Sequence, residues 1–253
     1  MRLQQFVKMD DEIAHLGVVH GRLRRAPPGV EGSLVVGINP HELDLGQVLE
    51  LRGVRRHQFT AEHDVAGTPV AAGSARAFAT TYSNYGDERY DVPFGEDTTA
   101  TNFFYDGWVY LASPSSDIAN LEMDLNQVMA NGQTVIFGFQ CDGYSGTWDY
   151  TENTGTPEAP VDQWVHTSAS CNPRNWQTDT WHHVQISFAR DDAGNVTYNA
   201  VWLDGNEQGL NVTVPSSFAL GWSPTLLTNF QVDGLGSGGS STAYLDNLIV
   251  YRW

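Results

Sequence analysis

The sequence predicts an all-β protein, an antiparallel β-sandwich, and three observations carry that expectation. Runs of β-branched and aromatic residues alternate in hydropathy over five to ten positions. They recur at short, regular spacing, about a dozen times between residue 70 and the C-terminus. Between them stand turn-forming residues such as Asn131-Gly132, Asp142-Gly143, Ala193-Gly194-Asn195 and Asp204-Gly205. Glycine at 25 residues, with 8 Trp and 10 Tyr, fits many turns and aromatic-rich strands better than helices.

Taken in order, the candidate strands are ARAFATTYS, RYDVPF, FFYDGWVYLA, NLEMDLNQVM, QTVIFGFQC, GTWDYTE, DQWVHTS, TWHHVQISFAR, NVTYNAVWLDG, QGLNVTV, LLTNFQVDG and TAYLDNLIVYRW. Strands this dense point to a sandwich or barrel rather than an α/β fold. The stretch GLGSGGSST reads as a surface loop before the last strand. Thr180 to Gly205 is the clearest hairpin: Val184, Ile186 and Phe188 share one face by period-two alternation, and Tyr198, Ala200 and Trp202 repeat it on the return strand.

Residues 1–69 form a separate N-terminal segment of unclear structure, and residues 70–253 the sandwich domain. Charge supports a division. Residues 1–65 hold 8 Lys+Arg against 9 Asp+Glu, whereas residues 66–253 hold 5 against 21. Five of the eight histidines (His15, His20, His41, His57 and His63) fall in the first segment without metal-ligand spacing. The segment is expected to contribute little to the sandwich.

A formal net charge of −17 argues against nucleic acid and against an anionic membrane surface, since both need basic residues. No apolar run is long enough to span a bilayer, so membrane insertion is not expected. The single lysine (Lys8) and the abundance of Thr, Ser, Asn and Gly suggest an extracellular or periplasmic protein, although residues 1–20 do not read as a signal peptide. The two cysteines, Cys141 and Cys171, are expected to be bridged, closing a loop of about 30 residues for roughly 3 kcal/mol. His182 and His183 are adjacent, so in a strand they face opposite ways and cannot share one metal.

The Thr180–Gly205 hairpin resembles the W-H-H-V … G … D-G signature of laminin-G-like and other concanavalin A-like jelly rolls. YLDNLIVYRW resembles the closing strand of that superfamily, which includes family 16 glycoside hydrolases. The resemblance covers about residues 70–253 and implies the jelly-roll sandwich. The superfamily mixes lectins, hydrolases, lyases and structural modules, so it implies no single activity.

Within the resemblance, Leu121 to Gln127 matches the strand that carries E-x-D-x-(x)-E in the hydrolases. Glu122 takes the nucleophile's place and Asp124 that of the residue orienting it. The acid/base position holds an amide, Asn126 without a bulge or Gln127 with one. An amide keeps shape and hydrogen bonding but cannot donate the proton that retaining cleavage needs. Glu122, Asp124 and Gln127 are therefore expected to bind sugar hydroxyls on a concave sheet face. Tyr144, Trp148, Tyr150 and Trp164 are expected to stack on sugar rings. The resemblance also implies a structural Ca2+ at Asp246, and no other cofactor is expected. The resulting expectation is a lectin-like domain, without catalysis, that binds a poly- or oligosaccharide. The alternatives are a glycan-cleaving hydrolase or lyase, and a structural or adhesive extracellular module.

Overall fold

A computed structural model describes residues 55–58, 63–64, 74–83, 85–115 and 117–253. The described chain is all β, and its helical content is one 3-10 turn at Pro173–Asn175. In chain order the strands are β1 (Arg55–Gln58), β2 (His63–Asp64), β3 (Ser74–Tyr82), β4 (Gly86–Pro93), β5 (Asn102–Leu111), β6 (Ile118–Val128), β7 (Thr134–Phe137) and β8 (Phe139–Asp142). They continue with β9 (Thr147–Asn153), β10 (Asp162–Ser170), β11 (Trp181–Arg190), β12 (Asn195–Leu203), β13 (Asn206–Pro215), β14 (Ser217–Phe218), β15 (Thr225–Gly234) and β16 (Gly239–Arg252).

Two antiparallel sheets result. The first runs β13-β12-β11-β5-β16-β3-β2, with β1 on the far half of β16. The second runs β10-β9-β8-β6-β15-β4, and β7 pairs with β6 beyond β8, with β14 outside it. β1 and β2 lie before residue 70, so strand pairing starts earlier in the chain than the charge break. The rest of the 1–69 segment lies outside the described residues. Among the described residues no helix is long and apolar enough to cross a membrane.

The core between the sheets is aromatic. Phe139 stacks on Trp148 with centroids 5.3 Å apart and on Tyr198 at 6.0 Å, while Phe188 meets Phe139 and Tyr198 edge-on and Phe137 at a tilt. Tyr198 donates its hydroxyl to the Thr151 carbonyl of the opposite sheet at 3.0 Å, so its polar tip is satisfied in the interior.

The β11–β12 hairpin departs from the sequence reading in one place. Val184, Ile186, Phe188 and Tyr198 face the core as expected. The register shifts between Tyr198 and Ala200, which is a bulge, and alternation changes phase there. Val201 takes the inward position, while Trp202 lies on the outer face against Phe104, centroids 5.6 Å apart. β12 turns into β13 on Asp204 (φ 51°) and Gly205 (φ 78°), the left-handed pair that a tight two-residue loop requires. The glycine-rich stretch is only partly loop, because β16 begins at Gly239 and its first residues pair with β3.

His182 and His183 do face opposite ways. His182 Nδ1 lies 2.8 Å from Asp204, and His183 Nε2 lies 2.7 Å from Asp106 while its ring stacks on Trp108. Cys141 and Cys171 are bridged with Cα atoms 5.3 Å apart. The disulfide encloses β9 and β10, which build one end of the site described next.

Candidate functional site

Leu121, Met123 and Leu125 enter the core from β6, so alternation turns Asn120, Glu122, Asp124 and Asn126 to the outer face of the second sheet. The neighbouring strands present polar side chains in the same register. His166 of β10, Asp149 of β9, Gln140 of β8, Glu122 of β6, Gln231 of β15 and Arg89 of β4 are successive cross-strand partners. They form one unbroken polar row across six strands. The next row holds Trp164, Thr151, Asp124, Asn229 and Asp91, with Gly138 between Thr151 and Asp124.

The row's centre is buried although it faces away from the core: Glu122, Gln140, Asp149 and Gln231 are each almost inaccessible. Buried carboxyls need donors, neighbouring charge or a retained proton. Asp124 has donors. Its Oδ1 accepts from the Phe139 N–H at 2.9 Å, and its Oδ2 accepts from Asn229 Nδ2 at 3.2 Å. Burial still pushes its carboxyl up to about 7, against those two hydrogen bonds. Burial also raises Glu122 well above the usual carboxylate range, helped by Asp233 and then Asp124. Asp233 itself, buried next to Glu122, is pushed up to about 6.

At the other end of the row, Asp149 is fully buried and accepts from Thr147 Oγ1 at 2.7 Å. His166 Nδ1 lies 2.8 Å from its Oδ2. Burial raises Asp149, with Asp142 beside it adding to the effect against Thr147 and His166. The face thus combines carboxyls that hold protons near neutrality, amides that both donate and accept, an imidazole and a guanidinium.

Several sequence expectations need correction. Trp148 is 0% exposed and Tyr150 nearly buried, both on the core side of β9, so neither ring can meet a ligand on the outer face. They do share a face, but it is the inward one, because Asp149 between them points outward. Gln127 also lies on the inward side of β6 and is 0% exposed. Its Nε2 donates to the carbonyls of Asp97 (2.8 Å) and Ala100 (3.0 Å), and its Oε1 accepts from Arg190 Nε at 2.5 Å. β6 runs without a bulge here, so Asn126, not Gln127, shares the face of Glu122 and Asp124.

Trp164 does lie on the outer face, half-buried and opposite Thr151, and Tyr144 is 58% exposed in the β8–β9 loop. Asp246 is buried on the first sheet, opposite Trp108, and its Oδ1 accepts from the Asn247 N–H. It belongs to no group of three or more potential metal ligands among the described residues.

The sequence reading did not single out His166, Asp149, Gln140, Gln231, Asn229, Asp233 or Arg89. Each sits on an alternating strand with its partner far away in sequence. The one available signal was shared parity: each occupies the polar phase of its own strand.

No protein-family model matches the sequence, and no curated protein is similar to it. Solved structures similar to the chain include peanut lectin, at 12% identity and TM-score 0.41, covering 79% of this chain and 97% of that one. Alginate lyase vAL-1 from Chlorella virus is 12% identical with TM-score 0.45, covering 83% and 98%. Arcelin-5, a lectin-like defence protein from Phaseolus vulgaris, is 11% identical with TM-score 0.44, covering 78% and 98%. At such identities and scores the likeness says nothing about activity.

Proposed function

We propose that the chain binds an oligo- or polysaccharide along the outer face of its second sheet, in an oxidising compartment where its disulfide persists. The observation that supports this is the polar row His166–Asp149–Gln140–Glu122–Gln231–Arg89. Sugar hydroxyls donate and accept at once, and a row alternating amides with carboxyls answers both needs. Six strands at about 4.8 Å spacing give the row a length of about 24 Å, more than one sugar ring needs. Trp164, one row over, offers a ring face to the apolar side of a pyranose.

A second reading is glycan cleavage, and one feature favours it: burial raises the Glu122 carboxyl well above the usual carboxylate range, the direction a general acid needs. Its carboxyl neighbour Asp233, diagonal to it across the β6–β15 pair, disfavours its ionised form further.

A glycan array followed by calorimetry tests both readings. The expected result is binding that weakens about tenfold in Gln140→Ala and in Gln231→Ala, the loss of about 1.4 kcal/mol each. Affinity unchanged in both variants places the binding face elsewhere. Release of reducing or unsaturated ends by the wild type, lost in Glu122→Gln, establishes the cleaving enzyme instead. No glycan bound by any form leaves the structural-module reading.

A further inference from the structure

We infer that Asp142, Asp149 and His166 form a site for a divalent transition metal ion, with zinc or manganese the chemistry they fit. Asp142 comes from β8, Asp149 from β9 and His166 from β10. One ligand atom from each residue lies within 4.8 Å of the others. Ligands held about 2.1 Å from an ion stand about 3.0–4.2 Å apart in the usual geometries, so a small inward shift of side chains closes the set.

The triad differs from an ordinary group of surface acids in three ways. Asp149 is 0% exposed, so its charge has no water to stabilise it. Asp142 is buried next to it with a carboxylate oxygen within 4.8 Å, and two buried carboxylates this near call for a shared proton or a cation between them. The third donor is an imidazole whose side chain is 64% exposed, which leaves one side of the site open to solvent.

The surroundings resemble the outer shell of a metal site. Asp142 is pinned by the backbone N–H groups of Tyr144 (2.7 Å) and Ser145 (3.1 Å). Asp149 is oriented by the hydroxyls of Thr147 (2.7 Å) and Ser145 (3.3 Å). Such contacts fix carboxylate ligands in place before an ion arrives. All three residues lie inside the loop closed by the Cys141–Cys171 disulfide, so their strands are tied together independently of the ion. Two carboxylate oxygens and one imidazole nitrogen suit zinc or manganese, whereas calcium prefers six to eight oxygens. Three protein ligands also leave a coordination position for water or a ligand on the open side.

The inference does not depend on the glycan reading, and its test uses metal alone. The full chain, freed of any affinity tag and dialysed against chelator, is titrated with Zn2+ and with Mn2+ by calorimetry at neutral pH. One ion per chain is expected, with a melting temperature that rises with ion concentration. Asp149→Asn and His166→Ala should each weaken binding at least tenfold, while His183→Ala, on the other sheet, should not. His166 is exposed, so its replacement leaves the fold intact even if the Asp149 variant does not. Binding equally strong in wild type and His166→Ala overturns the inference, as does no heat and no thermal shift with either ion at millimolar concentration.

Discussion

Glu122 of β6 and Asp233 of β15 stand diagonally across a strand pair on the same outer face, and the Asp233 charge disfavours ionisation of Glu122. Two neighbouring carboxyls cannot both be ionised without cost. Burial raises both, and Asp124 with them.

The pH dependence of stability follows. A carboxyl raised in the folded state binds its proton more tightly there than in the unfolded chain. Its stabilising effect is complete below the unfolded value and is lost as pH rises through the folded one. With Asp233 at about 6 and Asp124 at about 7, the melting temperature should fall between about pH 4 and pH 7. Asp97 acts in the opposite sense. Against the cost of burial, the N–H groups of Ala100 and Thr99, with Arg252, hold it low, so stability falls again in stronger acid. Scanning calorimetry from pH 3 to 8 should give a maximum on the acid side of neutrality; a maximum at pH 7–8 contradicts the upward shift of these carboxyls.

Glu122→Gln should raise the melting temperature at pH 7.5 and leave it little changed at pH 4.5. The amide carries no charge for burial, Asp233 and Asp124 to disfavour, so the mismatch that grows with pH disappears. A lower melting temperature at pH 7.5 shows that the Glu122 charge is not what limits stability there.

Asp124→Ala should destabilise by about 2 kcal/mol, a drop of a few degrees to about 8 °C. The reason is local. β7 and β8 pair with successive parts of β6 and are separated by Gly138. At that break the Phe139 N–H is taken by the Asp124 side chain rather than by a strand. Asp124→Asn keeps an acceptor and should recover most of the loss. Equal loss in both variants assigns the effect to charge instead.

Removing the disulfide with Cys141→Ala and Cys171→Ala together should cost roughly 3 kcal/mol by the loop-closure argument. The loss should appear as a lower denaturation midpoint with a somewhat steeper urea slope, because the unbridged unfolded chain is more expanded. A shallower slope means that the β9–β10 hairpin has come loose in the folded state.

The sandwich was legible in the sequence because alternation and turn residues are local signals. Leu121, Met123 and Leu125 against Glu122 and Asp124 declare the two faces of β6 within seven residues. The candidate site was legible only on that strand. His166, Asp149, Gln231 and Arg89 reach the same row by pairing between strands distant in the chain, and no local pattern encodes that register. Trp148 and Tyr150 show the opposite failure. Their shared face was correctly read, but its direction depends on which side of β9 meets the core. A run of Thr, Trp, Asp, Tyr and Thr leaves that open, because aromatic rings suit either side.

Gln127 decides how far the hydrolase resemblance reaches. In that pattern a glutamate at the bulged spacing supplies the acid, so Gln127→Glu looks like a restoration. The structure predicts otherwise. β6 has no bulge at this point, and Gln127 points into the protein, away from Glu122. Its Nε2 donates to two carbonyls, of Asp97 and Ala100. A glutamate would set an oxygen against both. The Arg190 guanidinium, which now donates to Oε1, would favour the added charge but cannot remove that clash. Gln127→Glu should therefore lower the melting temperature and yield no reducing ends from any β-glucan. Gln127→Leu, losing three hydrogen bonds beside a buried arginine, should destabilise by about 3 kcal/mol. Glycan affinity per folded molecule should be unchanged in both, because neither touches the outer face. Hydrolysis gained by Gln127→Glu contradicts the inward placement of this side chain and returns the strand to the catalytic reading.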